Sequence, residues 1–382
     1  ITNVLINKWR AGEIPDDPDK EAWTETGIRE KVCRGWEDGV AARQSLLTGA
    51  IAPPPIPPPP TVGGSTGRKG IPDRFYYPFG ISDADNAIRL ARAAGDEALY
   101  VTGWGWFTWD GMRWAPDPES LIVGQLAERV GLAILTEATA IGGTQRGQLI
   151  QWAKFSLGVG RLHAMVDLAR KWLQVDSAAL DSNPNLLNCQ NGTLDLRTGE
   201  LQLHRRADLI TKLVPTDFDP KAVCPVWNET VAYAFEGEPA LATYFQQALG
   251  YSLTGHTGAR AIFICWGQAG QNGKSTLLTT IHRLLGRDYA ATVNTKAFLT
   301  DETGNFALST LAQLRGVRFV DMSEASGGMA LNEELIKMLT GGDPVSAKLM
   351  HRDKIEFLPQ FKAWVMTNER PIVRGTEDPI WV

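Results

Sequence analysis

The sequence predicts an α/β fold in which a parallel sheet, covered by helices and carrying a phosphate-binding loop, follows a mainly helical domain with β-hairpins. Three observations predict it. From about residue 259, short apolar strand-like runs alternate with helical periodicity, the pattern of a helix-covered parallel sheet. The first such run, Arg260 to Trp266, leads straight into the Gly-rich segment 267–276 and then into a helix over Leu277 to Leu285. Upstream of it, capped amphipathic stretches and short strands separated by Asp-Gly and Asn-Gly turns set a different rhythm.

Composition fits such a protein and narrows the alternatives. The chain has 382 residues, 43% of them hydrophobic and 21% charged, which excludes a mostly disordered chain. No apolar run approaches the ~20 residues of a membrane-spanning helix. Cys33, Cys189, Cys224 and Cys265 lie too far apart for a disulfide scaffold or a CxxC zinc site, so a reducing, cytoplasmic setting is expected. Thirty-eight basic against 43 acidic residues give a charge of −5, which argues against a uniformly basic coat but leaves room for a local basic channel. Ile1 and the apolar end Ile380-Trp381-Val382 read as the cut ends of an internal piece of a longer protein.

Taken in order, residues 1–50 read as a small helical segment, with Ile28, Val32 and Trp36 spaced as on one helix face. Residues 51–72 form a Pro/Gly-rich linker. Seven of the eight residues from Pro53 to Pro60 are proline, which stiffens it as polyproline II, and Gly63 to Gly67 loosens its second half. A domain over 73–230 comes next. It opens with a helix from Ser82 to Ala94, continues through a hairpin over 99–115 turning at Asp110-Gly111, and holds a long helical region over 119–180. Trp104, Trp106, Trp109 and Trp114 crowd the hairpin; both a core and a base-stacking platform are open readings. Turns at Asn191-Gly192 and Thr198-Gly199 mark a second hairpin between Leu186 and His204. Residues 231–382 form the sheet-containing core.

The chemistry concentrates in that core. Gly270, Gln271, Asn272, Gly273, Lys274, Ser275 and Thr276 have the composition of a nucleotide-binding loop. The glycines let backbone N–H groups close around phosphates at a helix N-terminus whose dipole favours anions. Lys274 reaches the β- and γ-phosphates and the Ser275 hydroxyl ligates Mg²⁺. Gln268 stands where the usual pattern has its first Gly, with Gly267 one place earlier, so the loop is either one residue longer or tolerates Gln268. A second strand, Val317 to Met322, ends in Ser323-Glu324. Glu324 is the first choice, and Asp321 the second, for holding Mg²⁺ through water or polarising the attacking water. A third, Phe361 to Thr367, ends in Asn368, whose amide can orient the γ-phosphate and water or simply cap a turn. Between them, Lys348, His351, Arg352 and Lys354 make a loop or hairpin of local positive charge, read either as a solvated loop or as a track for a phosphate backbone.

These residues together resemble superfamily 3 helicases, and more narrowly the phage and plasmid primase–helicase family that includes the poxvirus replication ATPase. The matching segments are Asn272 to Thr276, Ser323-Glu324, Lys337 with Gly341-Gly342-Asp343, and Thr367-Asn368 with Pro371. Upstream, Asp85-Asn86-Ala87, Trp109 to Trp114, Leu186 to Asn188 with Asn191 to Gly199, and Leu249 to Gly255 resemble the helicase-associated domain of that family and the lead-in to its core. Residues 1–50 more faintly resemble the helical tail of an upstream primase module.

The resemblance implies an AAA+-like P-loop ATPase that uses ATP and Mg²⁺, with Lys274, Glu324 and Asn368 catalytic and Ser275 and Glu324 at the metal. It implies a homo-hexameric ring around single-stranded or forked DNA, gripped by a hairpin carrying Lys348, His351 and Arg352. It further implies 3′-to-5′ movement in phage, prophage or plasmid replication within a bacterial host, and an upstream primase in the same polypeptide. The family's arginine finger is expected just after a segment like Gly375 to Trp381, so low turnover is expected of a chain ending at Val382. A remodelling or packaging ATPase, and a non-catalytic DNA-binding subunit, are the competing readings.

Overall fold

The computed structural model describes residues 80–235, 238–267, 273–294, 308–323, 333–340, 342–348 and 354–368. The helical segment expected at 1–50 and the linker at 51–72 lie outside the described residues. Two compact units emerge. One holds residues 80–182 and 205–211, and the other holds 183–204 with the described residues from 212 onward.

In the first unit, helix α1 (Asp83–Ala94) starts where the sequence places it, at Ser82. The Ser82 hydroxyl accepts from the Asp85 N–H at 3.2 Å, and the Asp85 carboxylate accepts from the Ser82 N–H at 3.0 Å, a reciprocal capping box. Strands β1 (Ala98–Val101), β2 (Gly105–Trp109) and β3 (Trp114–Asp117) form an antiparallel meander, with Ala98 opposite Thr108 and Trp109 opposite Trp114. The expected single hairpin is thus three strands. The turn between β2 and β3 is held by the Asp110 carboxylate, which accepts from the N–H groups of Met112 and Arg113. Trp106 and Trp114 are buried, and Trp104 and Trp109 pack against the same core as Trp114. These tryptophans are core.

The long helical region is three helices: α2 (Leu121–Thr139), α3 (Gly143–Ser156) and α4 (Val159–Leu173). The N-terminus of α2 has no cap from Ser120; instead, buried Asp117 at the end of β3 accepts from the N–H groups of Leu121, Ile122 and Val123 at 2.9–3.1 Å. One carboxylate therefore fixes the strand-to-helix angle. Short β4 (Gln174–Val175) returns to pair parallel with β1. A polar network crosses the helices. Arg89, almost fully buried, donates through Nε and Nη2 to Glu137 on α2, and Asn86 donates to the Ser156 hydroxyl of α3 at 2.8 Å.

The second unit begins with the expected hairpin region, seen as β5 (Leu186–Cys189), β6 (Gly192–Asp195) and β7 (Glu200–Gln202), all antiparallel. Helices α5 (Pro225–Ala234) and α6 (Pro239–Leu253) come after it, each with proline in its first turn, where a missing N–H costs nothing. The α/β part comprises β8 (Ile262–Trp266), α7 (Lys274–Tyr289), β9 (Ala290–Asn294), α8 (Leu308–Gln313), β10 (Phe319–Ser323), α9 (Glu333–Thr340), the hairpin β11 (Val345–Lys348) and β12 (Lys354–Phe357), and β13 (Lys362–Thr367).

The main sheet has the order β8-β13-β10-β9, and every neighbouring pair is parallel. Leu187 and Leu194 of the hairpin, Trp227 of α5 and Leu249 of α6 share one core with Phe263, Leu278, Phe319 and Trp364 of the sheet and α7. That shared core is why the compact units divide at Ser182/Asn183 and not at the boundary near residue 230 suggested by composition and resemblance.

Candidate nucleotide site

Because all four strands run parallel, their C-terminal ends gather at one edge, where open α/β sheets bind ligands. There β8 exits at Gly267, beside it β13 exits at Asn368, and next β10 exits at Ser323. Helix α7 begins at this edge. Its first residue, Lys274, extends its ammonium to the Gly267 carbonyl at 3.1 Å and to the Asn368 Oδ1 at 3.1 Å. The chemistry-bearing lysine thus joins the exits of two adjacent strands, and it brings together two of the residues assigned from sequence, Lys274 and Asn368.

Gly273, immediately before it, has φ of 81°, a left-handed conformation natural to glycine, and it ends the loop so that α7 can start. Gly273, as the residue that opens the helix, has no side chain with which to cap it. The positive end of the helix dipole lies there, beside the exposed side chains of Ser275 and Thr276. Gly270, Gln271 and Asn272 of the expected cradle lie outside the described residues, as do Gln268, Glu324, His351 and Arg352.

Asp321 has a different role from the one weighed in the sequence. It is buried on β10, and both carboxylate oxygens are engaged by protein. Oδ1 meets Nδ1 of His282 at 2.5 Å, and Oδ2 accepts from the Thr292 hydroxyl of β9 at 2.9 Å. His282 sits on α7 eight residues after Lys274. The Asp321 carboxylate therefore clamps the lysine-bearing helix to two strands, and its oxygens are not presented to a metal. Neither His282 nor Thr292 stands out in the sequence, and β9 gives no signal of its own. Its Ala290-Ala291-Thr292-Val293 run begins four residues after Gly286 and is too short and small-chained to read as a strand.

Beneath the sheet, at the strand entrances, two cations are buried among carbonyls. Arg318 donates to the Pro184 carbonyl at 2.8 Å and the Leu253 carbonyl at 3.1 Å. Lys362 donates to the carbonyls of Thr254, His256 and Gln360. Burial, and then the Arg318 charge, push Lys362 well below the usual lysine range, while three carbonyls around its three N–H bonds work in the opposite sense. His256 is also held below its ordinary value, by burial first and then by the charges of Lys362 and Arg318. These groups tie residues 183–186 and 253–256 to the sheet at the end opposite Lys274. Burial likewise pushes the Cys265 thiol on β8 up to about 12, against the pull of Lys274.

The charged hairpin is present. β11 and β12 pair antiparallel with Lys348 opposite Lys354, so the last ladder position before the tip carries a lysine on each strand.

Comparison with known proteins gives two matched segments. The D5 N-terminal-like family matches residues 87–236, and a family of unknown function (DUF5906) matches residues 265–379. A helicase-named protein of Acanthamoeba polyphaga mimivirus is 25% identical over 207 residues, 53% of this chain and 21% of that protein. A primase-named protein of African swine fever virus is 24% identical over 233 residues, 59% of this chain and 24% of that protein. The chain fits the phage and viral primase–helicase family. It spans less than a quarter of the length of either of these relatives. Among solved structures, the A-form apo structure of the NrS-1 C-terminal region shares 11% identity at a TM-score of 0.31, covering 40% of this chain and 35% of that one. Within this chain, the first matched segment runs through both compact units, and the second holds Lys274, Asp321 and Asn368. No helix among the described residues is long and apolar enough to cross a membrane.

Proposed function

We propose that this chain carries the ATP-hydrolysing motor of a DNA helicase in a primase–helicase protein of phage, prophage or plasmid replication. The observation that carries the reading is the position of Lys274, at a helix N-terminus and within 3.1 Å of both Gly267 and Asn368. A cation and a helix N-terminus at the C-terminal edge of a parallel sheet suit a polyphosphate. The helicase- and primase-named viral relatives give the same direction.

In this reading Lys274 exchanges its two protein oxygens for phosphate oxygens when ATP enters. Asn368, relieved of the lysine, turns its amide toward the γ-phosphate and the attacking water. The Ser275 hydroxyl, exposed on the first turn of α7, has the hard oxygen chemistry that magnesium takes, and Glu324 after β10 is the water-mediated second partner. Bound magnesium supplies charge neutralisation across the β- and γ-phosphates. Asp321 does not fit that set, since His282 and Thr292 hold its oxygens. Gln271, Asn272, Gly270, Gly273 and Thr276 complete the loop, whose backbone N–H groups cradle the phosphates.

The β11–β12 hairpin, with Lys348, His351 and Arg352, tracks single-stranded DNA inside an AAA+-like homo-hexameric ring that advances on a fork. ATP turnover by the protein, with and without single-stranded DNA, tests this. The expected result is turnover that rises with DNA in the wild type and loses that rise in a Lys348→Ala/His351→Ala variant. DNA-insensitive turnover would replace the helicase by a remodelling ATPase.

A further inference from the structure

No Asp or Glu occurs between Glu137 and Asp167, yet Arg146, Lys154, Arg161 and His163 do. In a chain of net charge −5 this is a locally cationic surface, and it folds as α3 and the start of α4. Helix α3 buries only Leu149, Ala153 and Ser156. The opposite side, at helical spacing, presents Thr144, Gln148, Gln151 and Phe155 to solvent, with Lys154 beside them.

Phe155 is the unusual member. Its ring is 52% exposed at the end of a polar helix, and the Arg161 guanidinium lies 4.4 Å from the ring centroid. Trp152 stands 5.6 Å from Phe155, but its indole N–H is committed to Asn86, so it supports the ring from the protein side. Asp83 pairs with Arg161, and Glu137 is occupied by Arg89. On the helix itself the exposed cation beside Phe155 is Lys154, whereas Arg146 falls at the spacing of Leu149 and Ala153, on the opposite side.

An exposed aromatic ring backed by a guanidinium, reached along amide side chains and flanked by a lysine, offers a base a face to stack on and its backbone a cation to meet. Glutamine amides add donors and acceptors without fixing a sequence. We infer that the exposed face of α3 is a second binding surface for single-stranded DNA, with Phe155 stacking an unpaired base and Lys154 neutralising a phosphate. This rests on the proposed DNA-directed function but not on the hairpin. The ligand is single-stranded because a duplex keeps its base faces stacked and out of reach of Phe155.

The test is fluorescence anisotropy of the chain with a labelled oligothymidine across a salt series, with a duplex of equal length as comparison. Phe155→Ala is expected to weaken binding about five-fold or more, the effect of losing one stacked base. Lys154→Gln is expected to lower the slope of log affinity against log salt by about 0.7, one single-strand phosphate contact, and Arg146→Gln, on the other side of the helix, is expected to leave it unchanged. A Phe155→Trp variant retains stacking and is expected to restore affinity, which separates lost stacking from lost folding. Unchanged affinity in Phe155→Ala and unchanged slope in Lys154→Gln, or equal binding of duplex, would overturn the inference. If the α3 variants bind normally while the hairpin variant does not, this surface falls and the motor reading stands. If the reverse holds, this surface stands and the assignment of DNA contact to the hairpin fails.

Discussion

Replacing Asp321 separates two roles that a carboxylate on a strand next to a phosphate loop can play. Here its two oxygens hold His282 of α7 and Thr292 of β9, at 2.5 and 2.9 Å. Asp321→Ala leaves the half-buried His282 imidazole and the exposed Thr292 hydroxyl without their acceptor. A hydrogen bond to a charged group contributes about 1.5–3 kcal/mol and water can replace the acceptor of the exposed hydroxyl, so the loss is about 2 kcal/mol, mostly from His282. In a unit of this size that lowers Tm by roughly 4–8 °C. Asp321→Asn keeps one acceptor for Thr292, and its amide can donate to the other imidazole tautomer, so about half the loss is expected. Thermal melts give the stability, and titration of a fluorescent ATP analogue against Mg²⁺ gives the site. The clamp predicts lowered Tm, with nucleotide still binding in a magnesium-dependent way below the melt. An Asp321→Ala protein with unchanged Tm and no magnesium dependence would refute the clamp and make Asp321 a metal ligand.

Gly286 interrupts α7 at φ of 65° and ψ of 177°, and a Cβ there would stand 2.6 Å from Pro215 Cδ. Gly286→Ala is therefore expected to destabilise by about 2–4 kcal/mol through backbone strain and overpacking, and a denaturant midpoint equal to wild type would contradict this. The Cys189 and Cys265 thiols are both pushed up to about 12, chiefly by burial. At a pH near 8 only about one in ten thousand is thiolate, so iodoacetamide should label them only after unfolding. His256 is held below its ordinary value in the folded protein, so the unfolded chain takes up the proton first. Stability is then lost as pH falls from about 6.5 towards the folded value. Tm should drop between about pH 7.5 and 5.5, and His256→Gln should flatten that drop.

Local rules made much of this fold legible. The Ser82 and Asp85 pair announced α1 and Asp110-Gly111 the β2–β3 turn, whereas α7 starts at Lys274, three residues before the Leu277 suggested by the sequence. Apolar runs located β8, β10 and β13, because parallel strands buried on both faces carry few polar residues. The hidden features depended on distance in sequence. Lys274 and Asn368 are 94 residues apart, and only the adjacency of β8 and β13 brings them together. Asp321 read as a possible metal ligand because its partners, His282 and Thr292, are 39 and 29 residues away. The boundary near residue 230 followed composition, whereas the β5–β7 hairpin joins the sheet's unit by burying Leu187 and Leu194 in its core.

The central claim is that Lys274 anchors a nucleotide, and binding of a fluorescent ATP analogue to the chain and to its Lys274→Ala variant tests it most directly. Circular dichroism of both proteins establishes that they are equally folded. The account predicts magnesium-assisted binding in the wild type and at least a ten-fold weaker affinity in the variant, the loss of one charge-assisted contact of about 1.4 kcal/mol or more. Equal affinity in two folded proteins would contradict it.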